Sequence, residues 1–125
     1  DRSSAASDVY KRQKLALDIY VHRIVGYIGN YTAQMGGVDV ITFTAGVGEN
    51  DDVVRKMVCD KLAPFGVKLD EEKNATRSKE PRIISTPDSA VTICVIPTNE
   101  ELAIARKSAA IAEEGKDSYG NVFSK

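Results

Sequence analysis

Along the first third of the chain, apolar residues recur at helical spacing. Leu17, Val21, Ile24, Val25, Ile28 and Met35 lie three, four or seven positions apart, which predicts a helix over residues 9–35 behind a frayed polar start at 1–8. Tyr20, Tyr27 and Tyr31 widen its apolar side, so it is expected to pack on more than one neighbour. Gly36-Gly37 then stops it. The period changes at VDVITFTA, residues 38–45, which is rich in β-branched residues and apolar on both faces, as a buried parallel strand is. GVGEN follows as a turn. Asn50 is a good N-cap, and Asp51 and Asp52 suit the first turn of a helix, where the dipole favours negative charge. Val54, Val58 and Leu62, with Val53 and Met57, give that helix its buried face. Gly66 closes it after Pro64 has weakened its last turn.

The second half reads as shorter pieces. VKLD at 67–70 is a candidate short strand, and EEKNATRSKEP at 71–81 is a charged surface loop or frayed helix. RIIST and VTICVIP read as strands, split by a turn at PDSA. Thr98 and Glu101 form a T-x-x-E capping box. That box predicts a last helix with a narrow apolar stripe of Leu102, Ala105, Ala109 and Ala112. Residues 115–125 read as a loose tail. The order helix, strand, helix, short strands, strand, helix implies an α/β fold with a mostly buried sheet.

Composition narrows the function. The 125 residues form one domain with a modest core. Seventeen basic and eighteen acidic residues give a net charge of -1, without the basic surface that nucleic acid requires. No apolar run approaches the roughly 18 residues of a membrane-spanning helix, and the polar start DRSSAASD does not read as a signal peptide. Cys59 and Cys94 are open to two readings, a disulfide or two buried reduced thiols of a cytosolic protein. Their apolar surroundings favour the second. Neither belongs to a Cys/His cluster of zinc spacing. The single histidine, His22, falls within a helical pattern and reads as a structural or surface residue. Ser85, Thr86 and Ser89 have no candidate base nearby in sequence and receive no nucleophilic role. The acids Asp70, Glu71 and Glu72, followed by Lys73 and Arg77, are explained by helical pairing or solvation.

Two strand-to-helix junctions carry candidate chemistry. In the first, Gly46 and Gly48 permit close approach of backbone to a ligand. Yet a dinucleotide fingerprint needs a third glycine where Asp51 stands, and a P-loop needs a Lys-Ser/Thr pair that is absent. Glu49, Asp51 and Asp52 would repel a phosphate docked there. A carboxylate or amide is a better partner for ribose hydroxyls or a base amino group. The junction is therefore either a plain, well-capped turn or an adenosine-side contact. In the second, IPTNEEL, Thr98, Asn99, Glu100 and Glu101 put oxygen atoms near the end of a strand, where ligands of open α/β sheets gather. Carboxylates there could hold Mg²⁺, or Thr98 and Glu101 merely cap a helix. The cap role of Glu101 leaves Glu100 free for another task.

Longer stretches go beyond generic pattern. LALDIYVHRIVGYIGNYTAQMGGVDVITFTAGVGEN, FGVKLDEEKN, ISTPDSAV and VIPTNEELAIAR, in this order, resemble the C-terminal region of acetate kinases over residues 14–111. The resemblance implies part of an actin/RNase H-like ATPase domain, in the superfamily of actin, hexokinase and Hsp70. It implies reversible phosphorylation of acetate to acetyl phosphate by ATP with Mg²⁺, in the cytoplasm, by a homodimer joined through its C-terminal domains. Carried over by position, Gly46, Val47, Gly48, Glu49 and Asn50 are the adenosine-contacting segment, with Val47 where Ile is usual. Glu100 matches the Mg²⁺-associated glutamate.

The same resemblance implies what this chain lacks. Acetate kinases are about three times as long. Their acetate-site and catalytic residues, their H-x-G-N-G phosphate motif and their D-[FI]-R nucleotide motif lie upstream. Residues 1–125 are thus expected to be the C-terminal portion of the nucleotide-binding domain, inactive alone. The first three strands of the sheet would be missing, and the strand at 38–45 or its neighbour would have an open edge. Two other readings stay open: a fragment of a propionate or butyrate kinase, and a stand-alone nucleotide-binding or interaction module without catalysis.

Overall fold

The structure, a computed structural model, describes residues 2–44, 51–96 and 103–105. Helix α1 (Arg2–Met35) leads into strand β1 (Val40–Thr44), helix α2 (Asp51–Lys61), a 3-10 turn (Ala63–Phe65) and the short helix α3 (Glu71–Ala75). Strands β2 (Arg82–Ile83), β3 (Thr92–Ile96) and β4 (Ala103–Ala105) follow. The four strands form one mixed sheet in the order β2-β3-β1-β4.

Helix α1 begins at Arg2, ahead of the predicted start near Val9. Residues 2–8 contain neither glycine nor proline, and extending a formed helix costs far less than nucleating one. It ends where the glycine pair predicts. The Gly37 N–H donates to the Thr32 carbonyl at 2.9 Å and the Gly36 N–H to Ala33 at 3.4 Å, with both glycines at positive φ. That is the 6→1 and 5→2 pairing of a Schellman ending. From Leu17 onward α1 meets the core, through Val21 and Ile28 with Leu17, Ile24 and Val25 alongside. Tyr20, Tyr27 and Tyr31 remain exposed, and Tyr27 and Tyr31 stack on each other with ring centroids 4.5 Å apart.

The centre of the molecule is the parallel pair β1–β3, in register from Val40 beside Thr92 to Thr44 beside Ile96. Ile41, Phe43, Ile93 and Val95 share one face of it. They join Val54, Val58 and Cys59 of α2, Leu62 just after it and the α1 residues in one core cluster. Burial on that scale follows from the apolar run predicted for this strand, since about 25 cal/mol is gained per Å² of apolar surface removed from water. Val53 departs from prediction. It is 42% exposed, because it sits about 100° round the helix from Val54, and Arg55 takes the buried place instead.

The segment 67–70 forms no strand of its own and makes one antiparallel bridge, Leu69 with Ser85. The charged stretch after it contains α3, capped by Asp70, whose Oδ1 accepts from the Lys73 N–H at 3.1 Å. Thr86 and Ser89 serve the neighbouring turn. The Ser89 hydroxyl accepts from the Lys68 N–H and donates to the Val91 carbonyl. Lys68 pairs with Asp88 at 2.8 Å, and that hydrogen bond, aided by one from Thr86, holds the Asp88 carboxyl down at about 2.

The predicted helix from Thr98 is corrected at Ala103–Ala105. These residues form β4, antiparallel to β1, pairing Ala105 with Val40 and Ala103 with Thr42. The Asp39 N–H extends the ladder to the Ala105 carbonyl at 3.1 Å. β1 would otherwise present a row of unpaired backbone groups on this side, so among the described strands the outer edge falls on its neighbour β4. Pairing also brings Ile104 against the core, a larger apolar gain than an alanine stripe offers.

Gly66 closes the 3-10 turn at φ 88°. A Cβ there would lie 2.6 Å from the Ala90 Cβ. Gly66→Ala combines left-handed strain with overpacking, and is expected to cost about 2–4 kcal/mol, read from the urea midpoint by circular dichroism. An unchanged midpoint would mean the turn relaxes freely.

Candidate functional site

Gly46, Val47, Gly48, Glu49, Asn50 and Glu100 lie outside the described residues, as do Thr98 and Glu101. What the structure does place is the framework on which both candidate segments are mounted. The first segment leaves β1 after Thr44 and the second leaves β3 after Ile96. Thr44 and Ile96 are register partners on adjacent parallel strands, and such strands run about 4.8 Å apart. Two segments more than fifty residues apart in sequence therefore depart side by side from the carboxyl ends of neighbouring strands, the position that ligands favour in open α/β sheets.

The first segment ends at α2, whose opening turn contains Asp51 and Asp52 as predicted. That turn is tied down by two buried polar residues. Arg55 and Asn74 are 5% and 4% exposed. The Arg55 Nε–H donates to Asn74 Oδ1 at 2.7 Å and its Nη2 donates to the Asn74 carbonyl at 3.0 Å. Asn74 Nδ2 in turn donates to the Asp52 carbonyl at 2.9 Å. The amide orientation is fixed by its partners, because a guanidinium only donates and a carbonyl only accepts.

Sequence reading missed this pair. Arg55 carried a signal, since it stands three, four and seven positions before Val58, Cys59 and Leu62, on the buried stripe of the helix. Asn74 carried none. It sits in a stretch read as charged surface, 19 residues from Arg55.

Other candidate side chains have structural surroundings. His22 is exposed on α1. The Ser85 hydroxyl accepts from the Ile93 N–H at 3.0 Å. Glu71 pairs with Lys56 at 2.6 Å. Cys59 and Cys94 are both buried thiols rather than a disulfide. Burial, with a smaller push from Asp60, drives the Cys59 thiol up to about 12, so it carries no nucleophilic thiolate at neutral pH. Among the described residues no group of three or more His, Cys, Asp or Glu converges to hold a metal, so a Mg²⁺ site finds no fit among them. Among the same residues no helix is long and apolar enough to cross a membrane.

Comparison with known proteins adds an independent finding. Residues 2–106 match the Acetokinase family. The acetate kinase of Pseudothermotoga lettingae is 54% identical over 115 residues, 92% of this chain and 28% of that protein. The crystal structure of Porphyromonas gingivalis acetate kinase superposes with a TM-score of 0.65 at 40% identity, over 78% of this chain and 24% of that one. A propionate kinase from Francisella tularensis gives 0.57 at 36% identity, over 70% and 22%. The chain spans about a quarter of the length of these relatives. Its mixed sheet and flanking helices are part of the fold they share.

Both thiols are expected to resist iodoacetamide in the folded protein at pH 7.5 and to react fully in guanidinium chloride, as counted by mass spectrometry. Rapid alkylation of Cys59 without denaturant would contradict its burial.

Proposed function

The chain belongs to the acetokinase family, and from that premise we propose that it is the C-terminal part of an acetate kinase. The enzyme transfers the terminal phosphoryl group of ATP to acetate, and regenerates ATP from ADP and acetyl phosphate in the cytoplasm. The structural observation that supports the reading is the pairing of Thr44 with Ile96, since the two candidate segments follow these adjacent strand ends in the chain.

In this reading Gly46, Val47 and Gly48 bring backbone against adenosine, and Glu49 and Asn50 supply oxygen and amide groups to its hydroxyls or base. Asp51 and Asp52 begin the helix behind, and their charge keeps the phosphates away from its N-terminus, turned toward Glu100. Glu100 would help to hold Mg²⁺, which when bound would neutralise charge on the phosphate oxygens. Phosphoryl transfer rests on positioning and charge neutralisation around an in-line transition state. The acetate-site and catalytic groups come from the rest of the enzyme. The exposed Tyr20, Tyr27 and Tyr31 supply an amphipathic face for a homodimer, since tyrosine is enriched at such contacts. The likeness to a propionate kinase supports one alternative, a longer acid as substrate.

The full-length protein is expected to form acetyl phosphate from ATP and acetate, trapped as the hydroxamate, with a higher kcat/KM for acetate than for propionate. The purified 125-residue chain is expected to form none. Turnover by that chain would refute the need for upstream groups, and a preference for propionate would move the assignment to the alternative. Nucleotide binding by the chain alone, with an inactive full-length protein, would favour a binding module. In the full-length enzyme, Glu100→Ala is expected to lower turnover on the order of a hundredfold and to shift the Mg²⁺ dependence to higher concentration. Glu101→Ala should leave that dependence unchanged. Equal shifts in both variants would remove the special role of Glu100.

A further inference from the structure

Adenosine-contacting residues on a glycine-rich segment need both ends of that segment held, because glycine contributes the least stiffness of any residue. One end is held by β1, through its ladders to β3 and β4. The other is the first turn of α2. The apolar stripe of that helix fixes its distance from the sheet, but apolar contact is non-directional. The stripe sets which side of the helix faces inward, but it resists a small slide along the helix axis less sharply. A directional contact at the first turn is needed to fix that freedom.

Asn74 supplies it, and its own position is referenced back to the sheet. The Asn74 N–H donates to the Asp70 carbonyl at 2.9 Å, and the Asp70 N–H to the Ile84 carbonyl at 2.8 Å. The Ile84 N–H donates to the Ile93 carbonyl at 2.8 Å. Ile93 is in β3, paired with Ile41 of β1. A continuous run of hydrogen bonds therefore leads from the strand beside β1, through α3, to the carbonyl of Asp52 at the far end of the segment. Arg55 completes it. Its hydrogen bonds to Asn74 hold the side chain and backbone of that residue together, so that the amide points at Asp52. Such buried networks are rigid when fully satisfied.

We infer that Arg55 and Asn74 are positioning residues for nucleotide affinity, setting where α2 begins relative to β1 and so the span across which residues 45–50 meet adenosine. This rests on the adenosine reading of Gly46 to Asn50. The side-chain chemistry is restrictive. Aspartate at 74 keeps the shape and still accepts from Arg55, but it loses the donor to Asp52 and sets a carboxylate oxygen against that carbonyl. Lysine at 55 keeps the charge but cannot reach two acceptors with a fixed fork.

The test uses the full-length protein, titrated with ADP by calorimetry, with KM measured separately for ATP and acetate. Asn74→Asp and Arg55→Lys are each expected to weaken ADP about fivefold, the scale of one lost directional hydrogen bond. KM for ATP should rise in parallel, and KM for acetate should stay within about twofold of its starting value on the same scale. A lowered thermal midpoint with unchanged ADP affinity would overturn the inference and leave the pair a purely stabilising role. Gly48→Val is measured beside them. If it leaves ADP affinity intact, the adenosine reading fails and the inference with it. If it abolishes ADP binding while Asn74→Asp does not weaken it, only the positioning role falls. Hydrogen exchange on the unsubstituted protein covers the case in which the variants do not fold. Coupling is reciprocal, so ADP should slow exchange of the Asn74 and Thr76 amides, and no added protection there would overturn the inference.

Discussion

The parallel pairing of β1 with β3 is the contact on which the other parts depend, for two separate physical reasons. Parallel strands need a long crossover, and here α2, the 3-10 turn, α3 and β2 all lie between the two paired strands. The crossover as a whole is therefore constrained to begin and end on one sheet. Parallel pairing also aligns strand directions, so the carboxyl ends of both strands fall at the same edge. An antiparallel pairing of the same two strands would have sent residues 45–50 and 97–100 to opposite ends. The burial of Ile41, Phe43, Ile93 and Val95 fixes the register as well. A slip of β3 by one residue would turn Ile93 and Val95 away from the helices and bring Cys94 toward them.

Local features were legible in the sequence where one residue type serves one backbone need. The glycine pair after Met35, the β-branched run of β1 and the apolar stripe of Val54, Val58 and Leu62 each state their structure within a few positions. The acid-rich start of α2 was legible for the same reason. Arg55 and Asn74 were not, because their pairing is a property of two elements brought together by the crossover. Nothing within several residues of Asn74 distinguishes it from the solvated charges around it.

The strand at Ala103–Ala105 shows the opposite failure, a local signal overruled. A capping box and an alanine-rich stripe favour helix by amounts of about 1 kcal/mol or less per feature. Against this stand the hydrogen bonds that β1 makes on its outer side and the burial of Ile104. Local propensity is a weak prior beside an unpaired sheet edge, and an edge is invisible until strand order is known.

The placement of the candidate segments follows from how rigidity is distributed. The structure puts directional contacts at both points of attachment: β1, paired with β3 up to Thr44, before residue 45, and the Arg–Asn–carbonyl network after residue 50. Arg55 is worth burying because it makes this junction directional. An apolar residue in its place would pack against Val58 and Leu62 equally well, and would leave the carbonyl of Asp52 and the amide of Asn74 to find each other without a guide.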